Sequence, residues 1–250
     1  QFNQLTEDYF YPAPDADAVL MRATGKKFHS TLDCVWGFSV IDCDEETSRL
    51  LSIITHLGVY KVKSFPYGPK QGPPLYQHLQ DDTIGKEYEP NGEKLADVFF
   101  DDTHLGDETP ESAFASLEQL FTAARSSGIQ YRFVKCTFLQ PECGLLGFIC
   151  GESGRRVDPA KVEQLRQWPE YTSCADVVSH TAFCQYLREY FGPEFPTKVK
   201  PLRPYSKKDY DFAKYATDEA AQEARRWLIS TLIEKVILVE PDWKAAAKPW

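Results

Sequence analysis

Polar and apolar residues alternate along this chain at spacings that mark out most of its elements. In "YFYPAPDADAVL", Pro12 and Pro14 disfavour helix in what precedes them, and the pattern turns amphipathic from Asp15 to about Thr24. "FHSTLDCV" is β-branched and apolar and predicts a strand ending near Asp33. "SRLLSIITHLGVYKVKSF" alternates around a central "HLG", which predicts a hairpin, and "PYGPKQGPP" reads as a rigid loop. In "PPLYQHLQ" (73–80), two prolines suit a first helical turn and Leu75, Tyr76 and Leu79 share a face. "LADVFF" is then a strand. In "DETPESAFASLEQLFTAARSSG", Thr109 is placed to cap a helix that Pro110 opens and Gly128 closes, with Phe114, Leu117, Leu120 and Phe121 along one stripe. "IQYRFVKCTFL" predicts a strand, and "GLLGFICGESGRRV" a hairpin turning at "GESG".

The core order is therefore strand, helix, strand, turn, strand, helix, strand. Such a βαββαβ series is the α+β class, a split antiparallel sheet with two helices on one face. Beyond Val157 the pattern becomes helical in "DPAKVEQLRQWP", "SCADVVSHTAFCQYLREYF" and "TDEAAQEARRWLISTLIEK", with proline-rich joints. One joint, "KVKPLRPYSKK", holds Lys198, Lys200, Arg203, Lys207 and Lys208, the main concentration of positive charge. We find no internal repeat or low-complexity tract.

Composition narrows the reading. With 42% hydrophobic residues in 250, the chain can bury a substantial core and is not disordered as a whole. A formal net charge of -9 repels polyanions unless the basic groups are clustered. The seven cysteines include no CxxC pair and suggest neither a disulfide framework nor a zinc site. Cys136, Cys143 and Cys150 recur every seven residues on strand-like stretches and are expected to be small buried hydrophobes. No apolar run is long enough to span a bilayer and no signal-peptide pattern opens the chain, so no membrane partner is expected, and a cytoplasmic or nuclear location is expected, not secretion. Gln1 in place of an initiator methionine suggests an excerpt of something longer.

The candidate chemistry lies in "ADVFFDDTHLG". A lone DD pair usually marks a solvated turn. Here the topology puts Asp101 and Asp102 in the turn between two central strands and brings the strand ending at Asp33 beside them. Three carboxylates packed together need positive charge, and an oxygen-only cluster suits Mg²⁺ or Mn²⁺. Two such ions serve displacement at phosphorus. His104, just after the pair, has no evident partner and is expected at the strand surface.

The stretch from "YPAPDADAVL" through "FHSTLD", "GF", "DEET", "THLGVY", "FPYGP" and "PPLYQ" resembles, in order, the palm and fingers of a reverse transcriptase of a gypsy-type LTR retrotransposon polyprotein. "VFFDD" stands where that family has Y-x-D-D, with Phe99 replacing the tyrosine. "KCTFLQPECGLLGF" resembles the run through the primer grip into the thumb, and "PDWKAAAKPW" the region before an RNase H domain. The resemblance implies a polymerase palm with partial fingers and a helical thumb and connection region. Its divisions are a palm start with a remnant of fingers over 1–40, a fingers hairpin and loop over 41–72, a palm with the DD hairpin and primer grip over 73–155, and thumb and connection over 156–250. It implies an RNA-directed DNA polymerase acting on a primer-template and a dNTP, with two Mg²⁺ or Mn²⁺ ions on the catalytic and metal-binding residues Asp33, Asp101 and Asp102. Phe38 matches the aromatic gate under the incoming sugar. Tyr67, Gly68 and Gln71 match the nucleotide-pocket loop, and Leu146 and Gly147 the primer grip. RNase H and integrase would be neighbours in the parent polyprotein, and finger strands with triphosphate-clasping cations would precede Gln1.

Two other readings stand beside it. A retroelement-derived fragment kept as an inactive structural or interaction subunit would share the fold. A palm-type cyclase or another two-metal phosphotransferase shares the sheet logic but leaves the thumb-like helices and "LLGF" unexplained.

Overall fold

The computed structural model describes residues 2–87, 92 and 94–238. The chain divides into two compact units, residues 1–146 with 150–153, and residues 147–149 with 154–250.

The first unit opens with a short turn of helix, α1 (Phe2–Leu5), and then α2 (Ala16–Ala23), whose cap is the Asp15 carboxylate accepting from the Asp17 amide. Strand β1 (Phe28–Asp33) follows, ending where its sequence pattern predicts. The predicted hairpin is present as β2 (Ile53–Thr55) and β3 (Gly58–Tyr60), turning at "HLG". The residues before it depart from the alternating reading and form a helix, α3 (Glu45–Leu50). The cause is local: Asp44 caps it by accepting from the Thr47 amide, and Glu45 and Glu46 sit in the first turn, where the helix dipole favours negative charge. Helix α4 (Gly72–Thr83) has its prolines in the first turn as read. Strands β4 (Asp97–Phe99) and β5 (Asp102–Asp107) come next, and then α5 (Pro110–Ser127). Thr109 caps α5 through the Ser112 amide and Gly128 ends it with a φ of 75°.

The expected strand over 129–139 is broken. A 3-10 turn at Phe133–Lys135 interrupts it, and only β6 (Thr137–Gln140) joins the sheet. The sheet order is β4-β5-β1-β6, with antiparallel pairs throughout, so β4 is an edge strand and not one of two central ones. This is the α+β palm arrangement. Leu32, Val98 and Leu105 project from one face of the sheet into a core with Tyr76 of α4 and Leu117, Leu120 and Ala124 of α5. Leu120, fully buried there, is worth about 2–5 kcal/mol against alanine. Phe114 departs from the predicted stripe and is 65% exposed, because Ala113 and Ser116 turn inward instead.

After β7 (Glu142–Leu145), strands β8 (Phe148–Gly151) and β9 (Gly154–Val157) form the predicted hairpin. The second unit continues into α6 (Pro159–Arg166), α7 (Cys174–Tyr186), the short α8 (Arg188–Phe191) and α9 (Phe195–Lys198), and α10 (Glu219–Leu238). Arg225 of α10 is buried there. Its guanidinium donates to the Trp168 and Pro169 carbonyls, pairs with Glu170 at 2.8 Å and lies over the Tyr171 ring, which offsets part of the cost of burying its charge, with Nε left unpartnered. The expectation for "PDWKAAAKPW" falls outside the described residues. Among the described residues no helix is long and apolar enough to cross a membrane.

Candidate active site

Asp33 ends β1 and Asp102 begins β5, and the antiparallel register sets them directly opposite. Asp101 sits in the two-residue turn between β4 and β5, and its carbonyl accepts from the Cys34 amide at 2.9 Å. The three carboxylates are thus brought to one end of the sheet. Alternation places Asp33 and Asp102 on the face opposite the α4–α5 core.

The turn is held from below by helix α4. Phe100 adopts a φ of 50°, in the left-handed region that disfavours a bulky residue. Its amide donates to the buried Gln77 side chain at 2.8 Å, and its carbonyl accepts from the Gln80 amide nitrogen at 3.1 Å. Gln80 also reaches the Tyr76 hydroxyl at 2.9 Å. These buried glutamines were not singled out from the sequence. The signal was available: polar residues at 77 and 80, beside Tyr76, lie on the helix face that must be covered.

Among the described residues, Lys135 brings an ammonium to the cluster, 3.2 Å from Asp33. The 3-10 turn that breaks the predicted strand places it there, pinned by the Arg132 amide donating to the Asp33 carbonyl at 2.9 Å. No spacing in the sequence announces this residue. Asp101 and Asp102 stay open to solvent on one side, but the protein packed on the other side, and then the charge of Asp33, push both carboxyls above their ordinary range. Asp101 adds to the effect on Asp102, and Lys135 offsets part of it. Three carboxylates against one ammonium leave an acidic site with oxygen-only donors, which fits hard divalent cations. Asp33, Asp102 and Lys135 line a cleft of ≈ 360 Å³ with Thr31, Gly144 and Leu145.

The other predicted residues fall in two groups. Phe38 is half-buried on a 3-10 turn, with Tyr67 at 4.7 Å and Tyr76 at 5.8 Å between ring centroids. A Cβ on Gly72 would come within 2.9 Å of the Phe38 ring, so the bare backbone there sets where the ring lies. Tyr67 is 66% exposed. The loop it belongs to is clasped by the N-terminal segment: Asn3 donates to the Gly68 carbonyl and accepts from the Lys70 amide, Gln71 donates to the Glu7 carbonyl, and Lys70 pairs with Asp8. Leu146 and Gly147 form the two-residue connection from β7 to β8, both with positive φ, 49° and 78°, the signature of a type I′ turn.

His104 does not lie at the strand surface. It is 2% exposed, because β5 lies between β4 and β1 and its ring meets His29, 3.0 Å away.

Residues 1–150 match the family model for the reverse transcriptase (RNA-dependent DNA polymerase). The chain is similar to the retrovirus-related Pol polyproteins of the Drosophila melanogaster transposons opus, 26% identical over 249 residues, and gypsy, 24% identical over 256. These matches take in 96% and 98% of this chain, which spans 24% of the length of each relative. Among solved structures, the foamy viral protease-reverse transcriptase in complex with RNA/DNA hybrid superposes with a TM-score of 0.74 at 18% identity, over 92% of this chain and 30% of that one. A second form in complex with ds DNA gives 0.77 at 17%, over 93% and 40%. At such identities the likeness is one of fold.

Proposed function

Because the chain belongs to the reverse transcriptase family, we propose that it is the polymerase core of a retrotransposon polyprotein, extending a DNA primer on an RNA or DNA template with dNTPs. The observation that carries this reading is the register pair Asp33–Asp102 with Asp101 on the adjoining turn. Asp33 and Asp101 would hold two Mg²⁺ or Mn²⁺ ions with Asp102 in support, and such ions, when bound, supply Lewis-acid activation of a hydroxyl and charge stabilisation at phosphorus. The chain's own residues do the positioning. Gln77 and Gln80 hold the turn that carries Asp101, and Lys135 orients Asp33. Phe38 excludes a ribose 2′-hydroxyl by bulk, and Gly72 sets how far its ring can retreat. Tyr67, Gly68 and Gln71 line the nucleotide pocket.

Leu146 and Gly147 form the primer grip, a tight turn whose backbone is free of a large side chain at Gly147. In the second unit Lys198, Lys200, Arg203, Lys207 and Lys208 are all exposed and would contact phosphates, which answers the acidic balance of the chain as a whole. RNase H and integrase are the expected neighbours in the parent polyprotein.

Primer extension by the purified chain, beside a variant carrying Asp101→Asn with Asp102→Asn, tests the proposal. The parent should extend a primer in Mg²⁺ and the variant should not. A parent that extends nothing supports the inactive-subunit reading instead, and equal extension by both removes the triad from the chemistry.

A further inference from the structure

The face of the sheet that carries Asp33 and Asp102 at its open end closes, two residues beyond Thr31, over a different group of side chains. The register pairs Thr31 with His104 and His29 with Gly106, so the two histidines are diagonal neighbours on that face. His29 Nδ1 lies 3.0 Å from His104 Nε2, and Cys143 Sγ of β7 lies 3.5 Å from the same His29 Nδ1. All three ligand atoms fall within 4.8 Å of one another. The residues are 0%, 2% and 5% exposed.

We infer that His29, His104 and Cys143 form a site for one thiophilic, tetrahedral divalent cation, Zn²⁺, separate from the carboxylate site and structural in purpose. Geometry supports it first. Zinc bonds of about 2.0–2.1 Å to nitrogen and about 2.3 Å to sulfur, at tetrahedral angles, set N···N near ~3.3 Å and N···S near ~3.6 Å. The observed 3.0 and 3.5 Å lie within a few tenths of these. Tautomer chemistry supports it next. His29 Nε2 is 3.1 Å from the Lys26 carbonyl, which can only accept, so the proton sits on Nε2 and the Nδ1 lone pair faces His104 and Cys143. This is the outer-shell hydrogen bond that orients a metal-ligating imidazole.

The polar cost of the cluster points the same way. Three polar side chains are buried together, yet His104 Nδ1 has no hydrogen-bond partner, so mutual hydrogen bonding leaves the group incompletely satisfied. A cation would engage His29 Nδ1, His104 Nε2 and the Cys143 sulfur at once, the His104 ring proton moving from Nε2 to the unpartnered Nδ1. A cleft of ≈ 350 Å³ lined by Arg22, Lys26, Asp97, His104 and Gly106 borders the cluster at His104. Nitrogen and sulfur donors select against Mg²⁺, so the two sites would not compete for the same ion. Binding displaces the Cys143 thiol proton to solvent and forms the metal–sulfur bond, with no change of oxidation state. It would tie β1, β5 and β7 together on the sheet face that carries Asp33 and Asp102, farther along the same two strands.

The test uses the whole chain, stripped with a chelator and titrated with Co²⁺ and then Zn²⁺. One equivalent of Co²⁺ should give tetrahedral ligand-field bands with a thiolate charge-transfer band. Zn²⁺ should bleach both, and excess Mg²⁺ should leave them unchanged. Cys143→Ser should lose the charge-transfer band and Cys136→Ser should keep it. X-ray absorption at the zinc edge of the unaltered protein needs no variant and should show one sulfur with two imidazole nitrogens. An oxygen-only shell, no bound zinc, or a charge-transfer band that survives Cys143→Ser overturns the assignment.

Discussion

Asp101 and Asp102 show how one carboxylate alters its neighbours. Burial and the Asp33 charge raise both, so in the absence of cations the site is held together against its own repulsion. Asp102→Asn is therefore expected to raise the melting temperature in chelator while abolishing primer extension, a trade of stability against function readable by thermal denaturation and by the extension assay. Gly147 shows the reverse, a residue chosen for what it lacks. With φ at 78°, an added Cβ would be strained and would also meet the Lys161 side chain at 2.9 Å. Gly147→Ala is expected to cost about 1–2 kcal/mol in urea denaturation, whereas Gly25→Ala, with similar φ but open space around it, should cost about 1 kcal/mol.

At the level of elements, the turn that carries Asp101 depends on a helix that carries none of the three carboxylates. Helix α4 supplies Gln77 and Gln80 to the strained Phe100 peptide, and without them a buried amide and carbonyl would lose their partners. Gln77→Leu should cost about 1–3 kcal/mol of stability. It should also lower kcat more than it raises KM, since it loosens the turn carrying Asp101 and not the substrate pocket; steady-state kinetics beside denaturation separates the two. Much of this tier was legible in advance. The cap at Thr109, the prolines opening α4 and α5, and the "HLG" and "GESG" turns all act through neighbours a few residues away. The errors arose where a contact from far along the chain overrode the local pattern. "IQYRFVKC" alternates well enough for a strand, but the Arg132 amide donates to the Asp33 carbonyl and the chain turns to bring Lys135 in.

The second unit is largely helical, and a buried histidine in it titrates with the fold. His180 is fully buried, stacked on Trp168 and hydrogen-bonded to Tyr171, and burial followed by the Arg225 charge lowers its pKa to about 4. An unfolded histidine titrates near ~6.5, so between these values the unfolded chain binds the extra proton. Stability is then full above about pH 6.5 and falls as the pH drops toward the folded value, by about 1 kcal/mol at pH ~5.5 from this group. Tryptophan-monitored unfolding should show that acid limb, and His180→Gln should make it shallower, the remainder coming from His29 and His104, which burial also holds below the usual imidazole range. Charge distribution makes a separate prediction. With a net charge of -9, the proposed primer-template binding would rest on local basic groups, so Lys207→Glu with Lys208→Glu should weaken binding across all sequences and reduce the salt slope by about 2.

The sequence by itself determined the α+β class, the order of elements and the three aspartates, because periodicity, caps and turn chemistry are short-range and the motifs keep their spacing. The family membership read from those motifs is borne out by the match over residues 1–150. Only the tertiary structure decided which charges and rings meet: Lys135 against Asp33, two glutamines under the Phe100 turn, and His104 beside His29 and Cys143 instead of in water. Each of those meetings joins residues 20 to 114 positions apart. Cross-strand register and packing set them, and no local pattern encodes either.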